Sequence, residues 1–168
     1  MVVYGYIHHI GDNVTTEQII APAWREEDPA VLAAHCLEAL DPQLPERVRP
    51  GDLLLAGRGF GAGDGQETAV LALQAAGFVA LVCGDADPAF AESAALYGLP
   101  VLVAPEAVAG LPAGALARLD LAQGTLADRA TGALFRVPLP PPALLDAFRR
   151  ALLLSRMRQI VEEEGFEG

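Results

Sequence analysis

The sequence predicts an α/β fold with a parallel βαβαβ centre and an antiparallel addition on its C-terminal side. In the middle third, short apolar segments alternate with helical segments that end at glycines, which is typical of strands paired in parallel with right-handed crossovers. In the last third, short segments are joined by tight glycine turns, which is typical of antiparallel strands. A chain of 168 residues has the length of one domain, and we expect residues 1–168 to form a single one.

The N-terminal part is predicted to contain one strand and one helix. Residues 2–10 form the predicted strand. Asp28-Pro29 marks a helix start, because aspartate favours the N-cap and proline favours the first helical position. We expect this helix to continue through Leu37 and Leu40 and to stop before Pro42.

The rest of the chain divides into segments bounded by glycines and prolines. The central strands are predicted at 53–56, 78–83 and 99–103, and the central helices at 67–76 and 88–97. The last third is predicted to contain strands at 116–121, 125–128 and 133–137, a proline-rich connector at 138–142 and a helix at 143–164. This order gives two successive βαβ units followed by the antiparallel addition.

Composition excludes several classes of function. The formal charge of −11 argues against a nucleic-acid partner, because phosphate binding needs clustered basic residues. All the basic residues are arginines, so a Schiff-base lysine and a GxxxxGK phosphate loop are excluded. Cys36 and Cys83 cannot ligate an iron–sulfur cluster by themselves, so we expect no metal or cofactor on this chain. Prolines interrupt the apolar stretches, so we expect no membrane partner. Residues 1–10 lack the positive region and the apolar core of a signal peptide, and we expect a cytoplasmic location.

The loop at 57–65, called the glycine loop below, is the strongest candidate for a binding site. It contains five glycines in nine residues, between a predicted strand and a predicted helix. Backbone NH groups and the helix dipole at such a junction favour an anion. The glycines have no GxGxxG spacing, which argues against a dinucleotide. Two interpretations stay open: an anion site, or a tight turn with Asp64 as the helix N-cap.

Several segments resemble, in order, motifs of the small subunit of 3-isopropylmalate dehydratase and homoaconitase, which is equivalent to the swivel domain of aconitases. The family carries Gly-x-Asn-Phe-Gly-x-Gly-Ser-Ser-Arg-Glu-His-Ala, and the matching residues here are Gly57, Phe60, Gly61, Gly63, Glu67 and Ala69. GDNVTTEQII at 11–20 resembles the family's GDNIDTDQII, and YGLP at 97–100 resembles its NGLLP. Residues 131–145 resemble its TG…F-x-V-P…PP-x-LL tail. The resemblance therefore spans nearly the whole chain.

The resemblance implies a fold, an activity and a set of partners. The fold is the swivelling β/β/α domain. The activity is that of the small subunit of a heteromeric hydro-lyase acting on a hydroxy di- or tricarboxylic acid. A large dehydratase subunit would be the partner and would carry a [4Fe-4S] cluster, and a small carboxylate would be the substrate. The isolated chain could also associate with copies of itself. The implied site has Asp64 as the catalytic residue, with the substrate bound by Gly63, Gly65, Gln66 and Glu67.

The departures from the family fall on the reacting positions. Asp64, Gly65 and Gln66 stand where the family has Ser-Ser-Arg. An ordinary carboxylate is a weak base and repels an anionic substrate, and Gln66 cannot form the charged bidentate pair that an arginine forms. The family's Pro-Ala-Arg-Tyr likewise becomes Ala-Pro-Ala-Trp at 21–24. These changes favour a slow or inactive chain. The second hypothesis is therefore a diverged, non-enzymatic paralogue that binds a partner or a small anion.

Overall fold

The computed structural model describes residues 1–25 and 27–164 and contains a mixed sheet of seven strands. The strands are β1 (Val2–His9), β2 (Leu53–Ala56), β3 (Ala80–Cys83), β4 (Val101–Val103), β5 (Leu116–Asp120), β6 (Thr125–Asp128) and β7 (Leu134–Arg136). Their order is β4-β3-β2-β1-β5-β6-β7. Neighbours among β1 to β4 pair in parallel, whereas β5, β6 and β7 add to β1 in antiparallel pairs. The predicted α/β class, the parallel centre and the antiparallel addition are confirmed.

Seven α-helices and one 3-10 turn connect the described strands. They are α1 (Thr16–Ile19), the 3-10 turn (Pro22–Trp24), α2 (Pro29–His35), α3 (Leu44–Arg47), α4 (Gln66–Ala76), α5 (Pro88–Leu96), α6 (Pro105–Gly110) and α7 (Pro142–Glu164). Asp28 and Asp87 act as N-caps, accepting hydrogen bonds from the first-turn NH groups of α2 and α5. Gly77 ends α4 with a φ of 122°, as expected for a glycine after a helix. Among the helices of the described chain, none is long and apolar enough to cross a bilayer.

The helix predicted from Asp28-Pro29 is shorter than expected. It ends at His35, because Cys36 is extended and Leu37 has a φ of +60°. The NH of Leu37 donates to the carbonyl oxygen of Ile19 at 2.8 Å, and the Leu37 side chain is fully buried. The prediction that the helix continues to Pro42 is therefore wrong. The burial of Leu37 beside α1, with its hydrogen bond to Ile19, replaces the hydrogen bonds that a longer helix would make.

The core lies on both faces of the parallel strands, in two layers. Alternate residues of β2 point to opposite layers: Leu54 packs with the helices α1, α2, α4 and α5, whereas Leu53 and Leu55 pack with α6 and α7. All four residues of β2 are fully buried. This explains the continuous apolar run in the sequence, because a strand covered on both faces has no polar side.

Candidate functional site

The glycine loop lies between two neighbouring loops at the C-terminal edge of the parallel strands. On one side, the NH of Gly61 donates to the carbonyl oxygen of Val14 at 2.7 Å, in the loop after β1. On the other side, the NH of Asp87 donates to the carbonyl oxygen of Phe60 at 2.8 Å, in the loop after β3. The site therefore lies where ligands of α/β sheets commonly bind, beyond the carboxyl ends of the strands.

Residues 63–65, directly before α4, form a short exposed backbone segment called the lip below, and their NH groups are free. Gly63, Asp64 and Gly65 are exposed, and their NH groups donate to no other residue that the structure describes. The N-cap of α4 is Gly65, which has a left-handed φ of +74° and no side-chain cap. The interpretation that made Asp64 the N-cap is therefore wrong. Free NH groups at the N-terminus of an eleven-residue helix are suited to hold an anion.

The side chains predicted to line the site go in different directions. Asp64 is exposed on the lip. The Gln66 amide donates to Asp87 at 3.4 Å, and the Tyr97 hydroxyl donates to Glu67 at 3.4 Å. The structure thus brings Asp64 and the glycine NH groups together, whereas the side chains of Gln66 and Glu67 are turned toward α5.

Two residues that sequence reasoning missed lie against the lip. Thr16 is fully buried, and its hydroxyl oxygen has no hydrogen-bond partner within the described part of the chain. A Cβ placed on Gly63 would lie 2.5 Å from that oxygen. Arg25 lies against Gly65, where a Cβ would be 2.6 Å from Nη1. A signal for Arg25 was available, because it follows directly on the segment that resembles the arginine-containing Pro-Ala-Arg-Tyr motif.

Local structure explains how Arg25 reaches the lip. Thr15 and Gln18 form a capping box at the start of α1, in which each side chain accepts from the backbone NH of the other residue. The 3-10 turn follows, and the indole ring of its last residue, Trp24, stacks on the imidazole of His35 with the ring centroids 3.9 Å apart. Arg25 follows as the C-cap of that turn. The segment that carries the guanidinium is therefore fixed at both ends.

The cysteines of this chain do not fit an iron–sulfur cluster. Cys36 and Cys83 are free thiols buried in the same core layer. Burial raises the pKa of the Cys36 thiol, and burial together with the charge of Asp85 raises the pKa of Cys83 to about 12. A cluster needs thiolates, which these environments disfavour. The described residues also contain no group of three or more metal-binding side chains. The described residues of this chain therefore offer no site for such a cluster.

Comparisons with known proteins give a consistent result. No family model matches the sequence. The 3-isopropylmalate dehydratase small subunit of Caldicellulosiruptor saccharolyticus is 36% identical over 168 residues, covering 99% of this chain and 97% of the relative. The small subunit of the same name from Moorella thermoacetica is 36% identical over 143 residues, covering 84% and 86%. The 2,3-dimethylmalate dehydratase small subunit of Eubacterium barkeri is 35% identical over 133 residues, covering 79% and 82%.

A solved structure supports the same relationship. The 3-isopropylmalate dehydratase (LeuD) of Methanocaldococcus jannaschii superposes with a TM-score of 0.82 at 25% identity, covering 99% of this chain and 100% of that chain. This match confirms the fold class that the resemblance implied. The identity and coverage of the curated relatives also confirm the family. The chain belongs to the family of 3-isopropylmalate dehydratase small subunits.

Proposed function

We propose that this chain is the small subunit of a heteromeric hydro-lyase that acts on a hydroxydicarboxylic acid. The observation that carries the proposal is the near full-length match to dehydratase small subunits, together with a free NH lip at the start of α4. The names of the relatives, 3-isopropylmalate and 2,3-dimethylmalate dehydratase, share a malate skeleton with alkyl substituents. An alkyl-substituted malate is therefore the proposed substrate class, and residues 1–168 the proposed single domain.

The chain is proposed to work only with a large subunit. Gly63, Asp64 and Gly65 are exposed, so the lip forms one open wall of a pocket that a second chain would close. The resemblance implies a [4Fe-4S] cluster on that large subunit, and the buried cysteines here support its assignment to the partner. Two buried free thiols also support a cytoplasmic location, because reduced cysteines are typical of that compartment.

At the lip, the backbone is proposed to bind a substrate carboxylate and the Asp64 side chain to remove a proton. The NH groups of Gly63, Gly65, Gln66 and Glu67 would hold a substrate carboxylate at the positive end of the α4 dipole. Asp64 would remove the proton from the carbon next to the one that carries the hydroxyl. The electron pair of that C–H bond then forms the new double bond as hydroxide leaves. In this proposal the residues of this chain bind the substrate carboxylate and remove the proton, and they take no part in the departure of the hydroxide.

The alternative of a non-enzymatic paralogue rests on a specific observation. Asp64, Gly65 and Gln66 replace all three residues of the Ser-Ser-Arg motif at the reacting positions. A paralogue of this kind would still bind a large subunit, because the fold and most of the loop are retained. Association without catalysis is thus the outcome that separates the two proposals.

Co-expression with a large subunit of 3-isopropylmalate dehydratase tests the proposal. We expect the two chains to co-elute from gel filtration and to dehydrate 3-isopropylmalate or 2,3-dimethylmalate. We expect neither chain to do so alone. The isolated chain on the same column reports self-association. Co-elution without turnover of either substrate would favour the paralogue, and failure to co-elute would contradict the heteromer itself.

A further inference from the structure

The outer face of the second half of α7 is apolar and uncovered. Phe148, Leu152 and Ser155 are buried and hold the other side of the helix against the core. The outer side carries five large apolar side chains, each between 49% and 58% exposed and together called the α7 stripe below: Leu153, Leu154, Met157, Ile160 and Val161. A helix that is apolar on all sides is normally covered on all sides. The α7 stripe therefore indicates a contact surface for another chain.

The stripe residues are spaced as in the seam between two packed helices. Met157 follows Leu153 by four residues and Leu154 by three, and Val161 follows Met157 by four. Intervals of three and four residues place side chains on one helix face, and this pattern forms the seam of paired helices. The stripe is thus suited to pack against another helix.

An open groove next to the stripe enlarges the apolar surface. It lies between α7 and the end of α5, has a volume of about 340 Å³ and is lined in part by Leu96, Tyr97 and Leu154. Leu96 is 77% exposed. Because Leu154 belongs to both the groove and the stripe, the two surfaces are continuous. A specific interface buries about 800 Å² on each partner, and the groove extends the area that the stripe alone would bury.

The charges of α7 are separated along the helix. Residues 149–158 include four arginines and no acidic residue, whereas residues 162–164 are all glutamates. Arg150 is exposed and takes part in none of the ion pairs of the described residues. When two copies of α7 pack antiparallel about Met157, position 164 of one copy lies opposite Arg150 of the other. Arginines then face glutamates at both ends of the contact, whereas a parallel pair brings like charges together.

We propose that the α7 stripe binds a second copy of this chain, with the two α7 helices antiparallel and Met157 at the two-fold axis. The contact is isologous and closes at two copies, because each copy contributes the same surface. Phe148 and Leu152 hold α7 in the core layer opposite the one that contains α4, so the pairing leaves the lip before α4 open. The dimer is thus compatible with a large subunit at the lip and requires no catalysis.

Sedimentation velocity of the isolated full-length chain tests the pairing. Between about 1 and 100 µM, we expect a reversible change from one copy to two, since interfaces of standard size bind at micromolar concentrations or below. M157E places two like charges at the axis and should weaken self-association at least about tenfold. Because Met157 is exposed, we expect the variant to fold.

L134E is the matched control for M157E. Leu134 is 64% exposed on β7, so the change introduces the same charge at an exposed apolar position outside the stripe. We expect L134E to self-associate as the wild type does. A wild type that stays monomeric at about 100 µM overturns the proposal, and so does an M157E chain that self-associates within about twofold of wild type.

Two charge reversals test the antiparallel register. R150E and E164R should each weaken self-association, because each one places like charges opposite one another at both ends of the contact. The double variant R150E/E164R brings opposite charges together again and should recover the wild-type dimer. A double variant that associates no better than the single variants would overturn the antiparallel pairing.

A cysteine at the axis gives an independent measurement. Cys36 and Cys83 are buried, so an added surface thiol is the one that reacts on mild oxidation. M157C should form a disulfide-linked dimer, because residue 157 faces its own copy. L153C should not, because antiparallel pairing separates the two copies of residue 153 by about 12 Å along the helices. Equal cross-linking of both variants would indicate parallel helices and would contradict the proposal.

The large subunit is the other candidate to cover the stripe. If the isolated wild type stays monomeric while M157E prevents co-elution with the large subunit, the stripe belongs to the heteromer and the dimer is overturned. If the isolated M157E chain is monomeric but still co-elutes with the large subunit, the dimer stands. Dimerisation of a chain whose reconstituted pair is inactive would leave the dimer standing while the proposed activity fails.

Discussion

Replacing Gly61 by alanine is expected to lower the free energy of unfolding by about 3 kcal/mol. Gly61 has a φ of +90°, which costs an L-residue about 1–2 kcal/mol. A Cβ there would lie 2.5 Å from Cγ of Phe90, so the alanine also overpacks the core, which adds about 1–3 kcal/mol. Phe90 cannot move aside cheaply, because it is fully buried and packs edge-on against Phe60.

The matched control for this change is Gly114→Ala. Gly114 has a similar φ of +85°, but a Cβ there would meet no atom within 4 Å. We therefore expect only the conformational cost, about 1 kcal/mol. Urea denaturation of both variants measures the difference, provided that the m-values stay equal. Equal losses in G61A and G114A would show that the contact with Phe90 does not fix the glycine loop.

Replacing Asp64 by asparagine is expected to reduce kcat of the reconstituted enzyme by about 10²–10⁴-fold. This is the contribution typical of a general base, and the amide cannot accept the substrate proton. KM should stay the same or fall, because the change removes a negative charge next to an anionic substrate. The exposed position of Asp64 makes a structural effect of this isosteric change small. Steady-state kinetics with 3-isopropylmalate give both constants.

Asp146→Asn is the control for the Asp64 variant. Asp146 is exposed on α7 and pairs with Arg149 at 3.6 Å, so its loss removes the same charge from a surface position outside the proposed site. We expect unchanged kcat. An Asp64→Asn enzyme that keeps kcat within about threefold of wild type would assign the proton transfer to another group.

The parallel centre could be predicted because the ends of its helices are determined by residues close to them in the sequence. Glycine after a helix and proline at a helix start act within a few residues, as Gly77 and Pro88 do. The short helices α3 and α6 were missed, because four to six residues carry too little periodicity to be recognised. The end of α2 depends on the burial of Leu37 against α1, a tertiary contact that helix propensity does not contain.

For the candidate site, too, local features could be predicted from the sequence, whereas contacts between distant residues could not. The glycine loop could be found from the sequence because its five glycines lie within nine residues that lead directly into one helix. The contact between Arg25 and Gly65 could not be predicted, because the two residues lie forty apart in the chain and no local pattern shows that the fold brings them together. The direction of Gln66 also depends on another element, since its partner Asp87 caps α5.

The sequence alone favours a slow or inactive chain, whereas the proposed function assigns the proton transfer to Asp64 and the carboxylate to the glycine NH groups. Restoring the family's motif with D64S/G65S/Q66R would place serine at a φ of +74° and its Cβ against the Arg25 guanidinium. The variant would also lose the Asp64 carboxylate.

The most direct test is kcat/KM for 3-isopropylmalate, measured for the wild-type pair and for the pair that contains the triple variant. If Asp64 and the glycine NH groups form a working variant site, the wild type is active and the triple variant is at least about tenfold slower. A triple variant that is faster than the wild type would contradict this account.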